Sequence, residues 1–490
     1  MLRSLSLASV AVAGLLLTAC DKSENKKFYN NDIEFANKSV NPALAFTMPG
    51  FNNVGIYTLI SSDDVLPNSP GFIYGAQPDG AGLLKDPNSD GYVLITNHEI
   101  IRSVSRVFLD KTLKPTKGEY IVDAIGGVWR LCSATMATPQ EHGFGPLFLT
   151  AGESGQESMV HGIHPGSLVG DKARTDRVLP ALGKASMENA VPLTKIAYPG
   201  KTVIMIGEDQ SYSSSHLSAG QLAMYMSNTV GDLNNGSFFA LKRKDGNQVE
   251  LDMTVGNSYD VEFVEIPNAK NISGAQINTQ ANALGAIRFS RVEDVDYGKG
   301  NPSNNRDIYF VATGQSPDGE TNQPGYTMWG RLYKLTMQAG DPTKGKLEVL
   351  VDGDLTPGTG IINPDNVCAT ENYVYIQEDG DSYYPGAKHD SYVWQYDIKT
   401  KQNKAFLNMK HNRTDAAWNS KYNTVNNNRF GSWEWGAMWD ISDIIGVPGT
   451  FLANIHPHTW QENKFFNPDG SGLNLNREGG QTIILRNVPR

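Results

Sequence analysis

Short apolar runs that end in small and polar or acidic residues recur along the chain. Six such units occupy residues 93–99, 147–153, 203–209, 308–314, 374–379 and 451–456. Their apolar runs are nearly continuous, as expected for strands that are buried on both faces. Long helical periodicity is scarce, and clusters of Gly, Asn, Asp and Pro separate the runs. The pattern therefore predicts an all-β protein.

A second run of aromatic and aliphatic residues follows several of these units, at residues 220–225, 330–334 and 392–396. A strand that delivers its polar end to one place, followed by an outward hairpin and repeated six times, is what a six-bladed β-propeller requires. The third and fourth units start at residues 203 and 308, so we expect inserted loops and short helices between them. A β-sandwich or two stacked domains is the open alternative.

The amino-terminal residues have the shape of a bacterial lipoprotein signal. Arg3 precedes a mostly apolar stretch, which ends in small residues before Cys20. That stretch is too short for a membrane-spanning helix, so lipid on Cys20 would provide the anchor. We therefore expect a signal peptide at residues 1–19, a lipidated tether at 20–41 and a single propeller domain at 42–490. The expected location is the cell envelope, on its periplasmic or extracellular face.

Composition narrows the classes of partner. The chain has 42 Lys and Arg against 52 Asp and Glu, a net charge of −10, and no basic run. An acidic chain of this kind is a poor match for nucleic acid, so we expect no nucleic-acid partner. The charged fraction of 19% and the absence of blocks of like charge favour an ordered globule, which we expect to be a monomer.

Cysteine usage leaves three possibilities open. Besides Cys20 the chain contains only Cys132 and Cys368, too few for a disulfide framework. In an exported compartment these two could form one disulfide, stay buried as small apolar residues, or bind metal. Cys368 falls on a predicted strand, and we interpret it as buried and inert.

Acidic residues cluster at the polar ends of the apolar units. In a propeller these ends converge on one mouth of the central channel, where unneutralised carboxylates repel each other. Oxygen ligands of this kind suit Ca²⁺, Mg²⁺ or Mn²⁺. The alternative is that some of them cap turns or pair with Arg and Lys. The residues are Glu99, Glu153, Glu208, Asp209, Glu378 and Asp379.

Histidines and serines offer weaker signals. The pairs His161 with His164 and His456 with His458 could suggest a metal site, but loop histidines bonded to backbone are commoner, and neither spacing is diagnostic. His456 is the better candidate because it closes the sixth unit. The serines before His216 lack a Gly-x-Ser-x-Gly elbow, which argues against a serine hydrolase.

An ordered set of short motifs resembles the PhoX-type alkaline phosphatases. The motifs run from about residue 70 to 460 and so cover most of the chain. Each is weak alone, but the ordered set, with a cysteine upstream of a strand that ends in Glu, is fairly specific. They occupy residues 96–99, 132–139, 149–153, 187–190, 207–209, 291–294, 363–366, 378–380 and 454–457.

The resemblance implies a six-bladed propeller that holds iron and calcium and hydrolyses phosphomonoesters outside the cytoplasm. Cys132 matches the family's iron-ligating cysteine, which fits the preference of thiolates for softer transition metals. Glu188 matches a carboxylate ligand of the iron pair, and Arg291 matches the arginine that holds the phosphate through a bidentate fork. Positions that match calcium or iron ligands are Glu99, Glu153, Asp209, Glu293, Asp365 and Glu378.

One departure from the family concerns substrate contact. The family carries a phosphate-contacting lysine before the cysteine, whereas residues 120–131 contain no lysine and only Arg130 is basic. The implied mechanism is attack by a metal-activated oxygen while the metals and Arg291 neutralise the phosphoryl oxygens. Two alternatives are a calcium-dependent propeller hydrolase of another ester or lactone, and a non-catalytic surface-binding lipoprotein.

Overall fold

The computed structural model describes residues 30, 32–315, 323–380, 384 and 386–490. The predicted signal peptide and the lipidation site Cys20 lie outside the described residues. In the part of the chain that is described, no helix has both the length and the apolar character needed to cross a membrane.

Strands dominate the regular structure. They are β1 (Ala45–Thr47), β2 (Gly55–Ser61), β3 (Pro78–Lys85), β4 (Tyr92–His98), β5 (Ser103–Leu109), β6 (Pro115–Val122), β7 (Leu131–Ala137), β8 (Leu147–Gly152), β9 (His161–Ile163), β10 (Met187–Pro192), β11 (Thr202–Glu208), β12 (Leu222–Ser227), β13 (Ser237–Arg243), β14 (Ser258–Glu265), β15 (Val292–Tyr297), β16 (Asp307–Ala312), β17 (Arg331–Gln338), β18 (Asp341–Asp352), β19 (Pro364–Ala369), β20 (Tyr373–Glu378), β21 (Tyr392–Asp397), β22 (Asn403–Met409), β23 (Glu434–Asp440), β24 (Thr450–His456) and β25 (Gln481–Arg486). The helices are short: α1 (Ala124–Gly127), α2 (Gly274–Leu284), α3 (Ala416–Tyr422) and α4 (Ser442–Ile445).

The described strands form five antiparallel sheets. Three have simple orders: β3-β4-β5-β6, β7-β8-β9 and β2-β25-β24-β23. A fourth has the order β1-β22-β21-β20-β19, and the fifth contains nine strands in the order β10-β11-β12-β13-β14-β18-β17-β16-β15. Because β2 pairs with β25 and β1 with β22, the amino-terminal strands complete the two sheets built by the carboxyl-terminal part of the chain.

Six strands form a closed ring in the centre. β3 contacts β7, β7 contacts β10, β10 contacts β15, β15 contacts β19, β19 contacts β23, and β23 returns to β3. We call these the ring strands. Each is followed in the chain by an apolar strand of the same sheet, so the apolar runs found in the sequence are the second strands of this arrangement.

The predicted all-β class and a propeller-like arrangement are confirmed, but six separate blades are not seen. The nine-stranded sheet contains two ring strands, β10 and β15. It arises because the long insertion after the third apolar unit supplies β14, whose Val261 pairs with Gly345 of the twelve-residue strand β18. The insertion itself was expected from the spacing, but its strand pairing was not.

Burial on both faces explains why the second strands read as continuous apolar runs. In β11, Val203 and Met205 belong to one hydrophobic cluster, while the alternate residues Ile204 and Ile206 belong to another. One face of the strand therefore packs towards the sheet β7-β8-β9, and the other towards strands β15–β17 of its own nine-stranded sheet. Full burial of side chains of this size contributes roughly 1.5–3 kcal/mol each.

The described end of the predicted tether lies on the folded body. Ile33 and Phe35 pack against a hydrophobic cluster, and the backbone N of Lys38 donates to the Thr58 carbonyl oxygen at 2.8 Å. The side chain of Asn41 is buried and donates to Ser61 Oγ at 2.7 Å.

Candidate metal centre

Every ring strand carries an irregularity of pairing near its start. In β3, for example, Pro78 pairs with His98 and Ala81 with Thr96, so two residues on the ring strand stand against one on its neighbour. Such a β-bulge turns side chains out of the regular alternation. The first residue of each bulge, in ring order, is Asp79, Cys132, Glu188, Glu293, Asp365 and Gly436.

The bulges therefore place four carboxylates and one thiol at equivalent points of the ring. Only the sixth strand, with Gly436, has no ligand side chain there. This repeat was missed by sequence reasoning, which followed the second strands. The signal is nevertheless present as Pro-Asp-Gly-Ala at residues 78–81, Leu-Cys-Ser-Ala at 131–134, Val-Glu-Asp-Val at 292–295 and Pro-Asp-Asn-Val at 364–367.

The residue after the second strand supplies a further acidic side chain in the first three repeats. Glu99 follows β4, Glu153 follows β8 and Asp209 follows β11. Their backbone nitrogens donate to the carbonyl oxygens of the residues two positions before the bulges, as in Glu153 N to Arg130 O at 2.8 Å. The same bond joins Thr313 N to Arg291 O at 2.9 Å. Arg130 and Arg291 thus occupy equivalent positions in two repeats.

Three overlapping groups of ligand atoms result, each with its atoms within 4.8 Å of one another. They are Asp79 with Glu99 and Cys132, Cys132 with Glu153 and Glu188, and Glu188 with Glu293 and Asp365. Because Cys132 and Glu188 each belong to two groups, the three form one continuous array. We call these seven residues, together with Asp209, the acidic cluster.

The structure thus brings most of the sequence-predicted ligands together. Asp209 joins them through Arg291 and through its electrostatic coupling to Glu153. Asp79 belongs to the cluster but was not predicted from the sequence. The predicted ligands that lie in the three groups are Cys132, Glu188, Glu99, Glu153, Glu293 and Asp365.

Glu378 lies elsewhere. Its carboxylate accepts hydrogen bonds from Ile362 N, Tyr392 N and Trp394 Nε1, each at 2.7 Å. The register explains the misplacement: Glu378 pairs with Pro364 as Glu208 pairs with Met187, so the residue equivalent to Glu99 and Glu153 is Asp379. The Glu208 side chain also has a partner of its own, because its Oε1 lies 3.2 Å from His216 Nε2. The two glutamates are one residue too early to reach the acidic cluster.

The carboxylates of the acidic cluster are buried close together and repel one another. Burial, and then repulsion from neighbouring carboxylates, raises the pKa of Glu188, of Glu293 and of Asp365 well above the ordinary value. Burial and the charge of Asp209 raise the pKa of Glu153 to about 8. Only two guanidinium groups, those of Arg130 and Arg291, pair with the cluster among the described residues. Bound cations would remove this repulsion, so the donor set fits metal ions.

Cys132 gives the cluster a softer donor. Its thiol is buried, lies 3.4 Å from Glu153 Oε2 and has a pKa raised by burial and by the charge of Glu188. Without a metal the sulfur is therefore held as the neutral thiol, whereas a coordinated ion deprotonates it. Cys132 and Cys368 are both free, so the predicted alternative of a disulfide between them is wrong. Cys368 is buried, as predicted.

Two arginines approach the cluster with different degrees of constraint. Arg291 Nε lies 2.6 Å from Asp209 Oδ1, and its Nη2 lies 2.7 Å from Glu293 Oε1. Arg291 and Glu293 thus meet on one side, although Arg291 precedes β15 and has a left-handed backbone with φ of 63°. Arg130 pairs with Glu99 and, at 3.3 Å, with Glu153, and its side chain is 42% exposed.

A left-handed conformation costs a non-glycine residue about 1–3 kcal/mol and persists only where its surroundings enforce it. Here the surroundings include Glu250, a carboxylate from the long insertion with no solvent exposure. Its Oε2 accepts from Ser290 N at 3.0 Å and from Thr327 N at 3.1 Å, and its Oε1 accepts from the Tyr333 hydroxyl at 2.8 Å. Glu250 therefore holds the residue just before Arg291 and is a positioning residue.

Replacing Glu250 with alanine is expected to lower any activity that depends on Arg291 by roughly tenfold or more, because two buried N–H groups lose their acceptor at about 1–3 kcal/mol each. Metal content, measured by elemental analysis, should be unchanged. Glu250→Gln keeps an oxygen acceptor and should restore most of the activity. Equal loss in both variants would contradict the positioning role.

Glu250 also gives a pH signature. Burial raises its pKa from 4.5 to about 7 despite the opposing charge of Arg331. The protonated form therefore favours the folded state, and this contribution is complete below pH 4.5 and lost as pH rises through 7. The stability difference between wild type and Glu250→Gln should change over that window.

The remaining sequence candidates have structural roles. His161 is buried and donates from Nε2 to the Gly127 carbonyl oxygen at 2.9 Å, which matches the backbone-bonded interpretation. His164 is exposed, and its Nδ1 accepts from Gly166 N. His456 and His458 instead form a separate group with Glu434.

Comparison with known proteins supports the fold. No protein-family model matches the chain, and no curated protein matches it. Among solved structures, PhoX from Pseudomonas fluorescens in complex with vanadate, a transition-state analogue, is similar with a TM-score of 0.58 and 14% identity, covering 92% of this chain and 98% of that chain. A PQQ-bound aldose sugar dehydrogenase from Streptomyces coelicolor gives a TM-score of 0.39 at 10% identity, covering 88% and 98%. The first likeness shows a shared fold.

Proposed function

We propose that the protein is an exported, lipid-anchored metallohydrolase that cleaves phosphomonoesters at the mouth of a six-bladed propeller. The observation that carries the proposal is that a ring of bulges gathers carboxylates, a thiol and a guanidinium into one buried cluster. A purely structural calcium site has no need of a thiolate, which selects transition metals. A guanidinium held among metal ligands suits an anionic, phosphate-like substrate.

The ring strands support the proposed six blades. Each carries one bulge and is followed by a second strand, and the nine-stranded sheet then corresponds to two blades joined by β14 and β18. Anchoring through lipid on Cys20, a location in the cell envelope and a monomeric state complete the proposal. It includes no nucleic-acid partner.

Iron and calcium are the proposed cofactors. Cys132, with Glu153 and Glu188 beside it, would hold iron, and the remaining carboxylates of the acidic cluster would hold calcium or share the iron. When bound, such ions supply charge neutralisation and activation of the nucleophile. The cluster fits them because its ligand atoms converge and its carboxylates are otherwise uncompensated.

The chain's own residues orient the substrate. Asp209 binds the Arg291 guanidinium through both oxygens, at 2.6 and 3.2 Å, and Glu293 adds a third contact. These contacts fix the plane of the fork, so that a phosphate meets an oriented donor with little loss of side-chain entropy. Arg130 lies at the equivalent point of another repeat and supplies a second, more exposed cation in place of the family's lysine.

The protein is expected to purify with iron as well as calcium, and to be coloured by thiolate-to-iron charge transfer if the iron is ferric. Cys132→Ser should remove the colour and the iron while leaving calcium bound. Elemental analysis and visible absorption provide the measurement. Cys368→Ser is the matched control and should change neither.

Substrate class is tested with the iron- and calcium-loaded protein on an aryl phosphomonoester, the corresponding diester, a carboxylic ester and a lactone. Hydrolysis of the monoester above the other three supports the proposal. Preferential cleavage of the ester or lactone would favour the alternative hydrolase. No turnover at full metal occupancy would favour a binding protein.

A further inference from the structure

The sixth repeat gathers a different set of side chains from the other five. Glu434 at the start of β23, His456 at the end of β24 and His458 two residues later have ligand atoms within 4.8 Å of one another. None of the three belongs to the acidic cluster. Two imidazoles and a carboxylate are the ligand types of zinc-like ions, whereas the cluster consists almost entirely of oxygen donors.

His456 presents one ring nitrogen to the carboxylate. Its Nε2 donates to the Pro78 carbonyl oxygen at 2.8 Å, which fixes the tautomer and leaves Nδ1 as the unprotonated nitrogen of a neutral ring. Nδ1 lies 3.1 Å from Glu434 Oε1, and the ring has no solvent exposure. Nδ1 also has no hydrogen-bond partner with acceptable geometry.

His458 repeats this arrangement. Its Nδ1 lies 3.0 Å from Glu478 Oε2, and its Nε2 lies 3.1 Å from Glu434 Oε2. Gln77 Nε2 donates to the same Glu478 oxygen at 2.9 Å and so orients the carboxylate. A histidine held at one nitrogen by a carboxylate or a backbone carbonyl, with the other nitrogen directed at a common point, is the usual second shell of a metal-ligating histidine.

Both rings therefore face acceptors with both of their nitrogens. A neutral imidazole has only one N–H, so one nitrogen of each ring would direct its lone pair at a carboxylate oxygen, which repels it. Each ring must therefore either take a second proton or share a cation with Glu434. We propose that Glu434, His456 and His458 bind a divalent transition ion of the Zn²⁺ class, separate from the iron and calcium of the acidic cluster. Its fourth ligand would be a water molecule, because three protein ligands leave a tetrahedral ion with one open position.

The position in the fold gives such an ion a role. β23 contacts β3, and this contact closes the ring between the last and the first repeat. Pro78 and Gln77 hold the two histidines: Pro78 begins β3 and Gln77 directly precedes it. All three ligands, by contrast, come from the last repeat. An ion at this point would fix the orientation in which the two histidines contact the start of the first repeat, and would thereby stabilise the closure of the ring.

Gly436 supports this arrangement. A Cβ at this position would lie 2.7 Å from His456 Nε2 and 2.7 Å from the Pro78 carbonyl oxygen. The sixth bulge therefore has no room for a ligand side chain of its own, because the histidine and the backbone of β3 fill the space. The change from a carboxylate to glycine at this one bulge accompanies the change of ligand type.

Zinc binding to the full-length chain, carrying Cys132→Ser to weaken competition from the acidic cluster, tests the proposal. We expect His458→Ala in this background to bind one Zn²⁺ fewer per chain, or to bind that ion roughly 100-fold or more weakly, by elemental analysis and titration after dialysis. His164→Ala, an exposed histidine outside the site, is the matched control and should bind zinc as the parent does.

Nitrogen NMR of the histidine rings provides a second measurement, which does not require that His458→Ala folds. Zinc added to the metal-depleted parent should shift His456 Nδ1 and His458 Nε2 selectively, the two nitrogens that face Glu434. Rings that stay doubly protonated as zinc is added, or equal zinc content in the parent and in His458→Ala, would overturn the proposal. Neither result depends on phosphatase activity, so the proposed function is judged separately.

Discussion

Arg291→Lys is expected to lower phosphomonoesterase activity by roughly 10²–10³-fold, the usual effect of removing one oriented donor to the transferring group. Lysine keeps the charge but not the planar fork that Asp209 and Glu293 orient. It also cannot contact both carboxylates in the same plane, so a phosphate would meet a mobile ammonium. Activity is measured at full metal occupancy, with iron and calcium content and the melting temperature determined alongside.

Arg130→Lys is the matched control for this prediction. Arg130 occupies the equivalent position of another repeat but is 42% exposed, and the family that the sequence resembles has a lysine in this stretch. We expect a loss of less than about tenfold, because a flexible, solvated cation contributes mainly through its charge. Activity of Arg291→Lys equal to that of wild type would show that Arg291 does not hold the phosphate. Loss of metal from that variant would assign Arg291 to cluster assembly instead.

The overall architecture could be predicted from the sequence because the second strands are buried on both faces. In residues 203–206, successive side chains belong alternately to two hydrophobic clusters. Every position is therefore apolar, and the strand can be recognised in the sequence as a continuous apolar run. The pairing of β14 with β18 has no comparable signal. Their contact depends on where a long insertion folds back, and that is decided by tertiary packing.

Most of the candidate site could also be predicted, although one ligand was displaced by a single residue. Glu99, Glu153 and Asp209 each follow a second strand, and the same rule applied by register selects Asp379 in place of Glu378. A shift of one position turns a side chain to the other face of a strand, and an apolar pattern alone does not fix that register. Asp79 was missed because the bulges break the strict alternation on which strand reasoning relies.

Chelation of the metals is expected to lower the melting temperature markedly and to reveal repulsion within the acidic cluster. An ion present at a thousand times its Kd stabilises the fold by about 4 kcal/mol, and several ions add to this. Their removal leaves Glu188, Glu293 and Asp365 buried beside one another with pKa values well above the ordinary range. Calcium should restore part of the lost stability in a thermal melt.

Glu188→Gln distinguishes lost metal binding from relieved repulsion, because its effect should change sign with the metals. In the loaded protein it removes a shared ligand and should lower the melting temperature. In the chelated protein it removes a buried acid whose ionisation is opposed by burial and by its neighbours, and should raise the melting temperature above that of chelated wild type. The pKa of Glu153, raised to about 8, adds a pH test, because stability held by its protonated form is complete below pH 4.5 and lost as pH rises through 8. Chelated wild type should therefore be less stable at pH 8 than at pH 5. The margin should narrow in Glu188→Gln, because Glu188 has a raised pKa of its own and contributes to the same loss. Glu371→Gln, at an exposed carboxylate, should leave both melting temperatures unchanged. A melting curve of wild type that does not respond to verified removal of metal would mean that protons alone neutralise the acidic cluster.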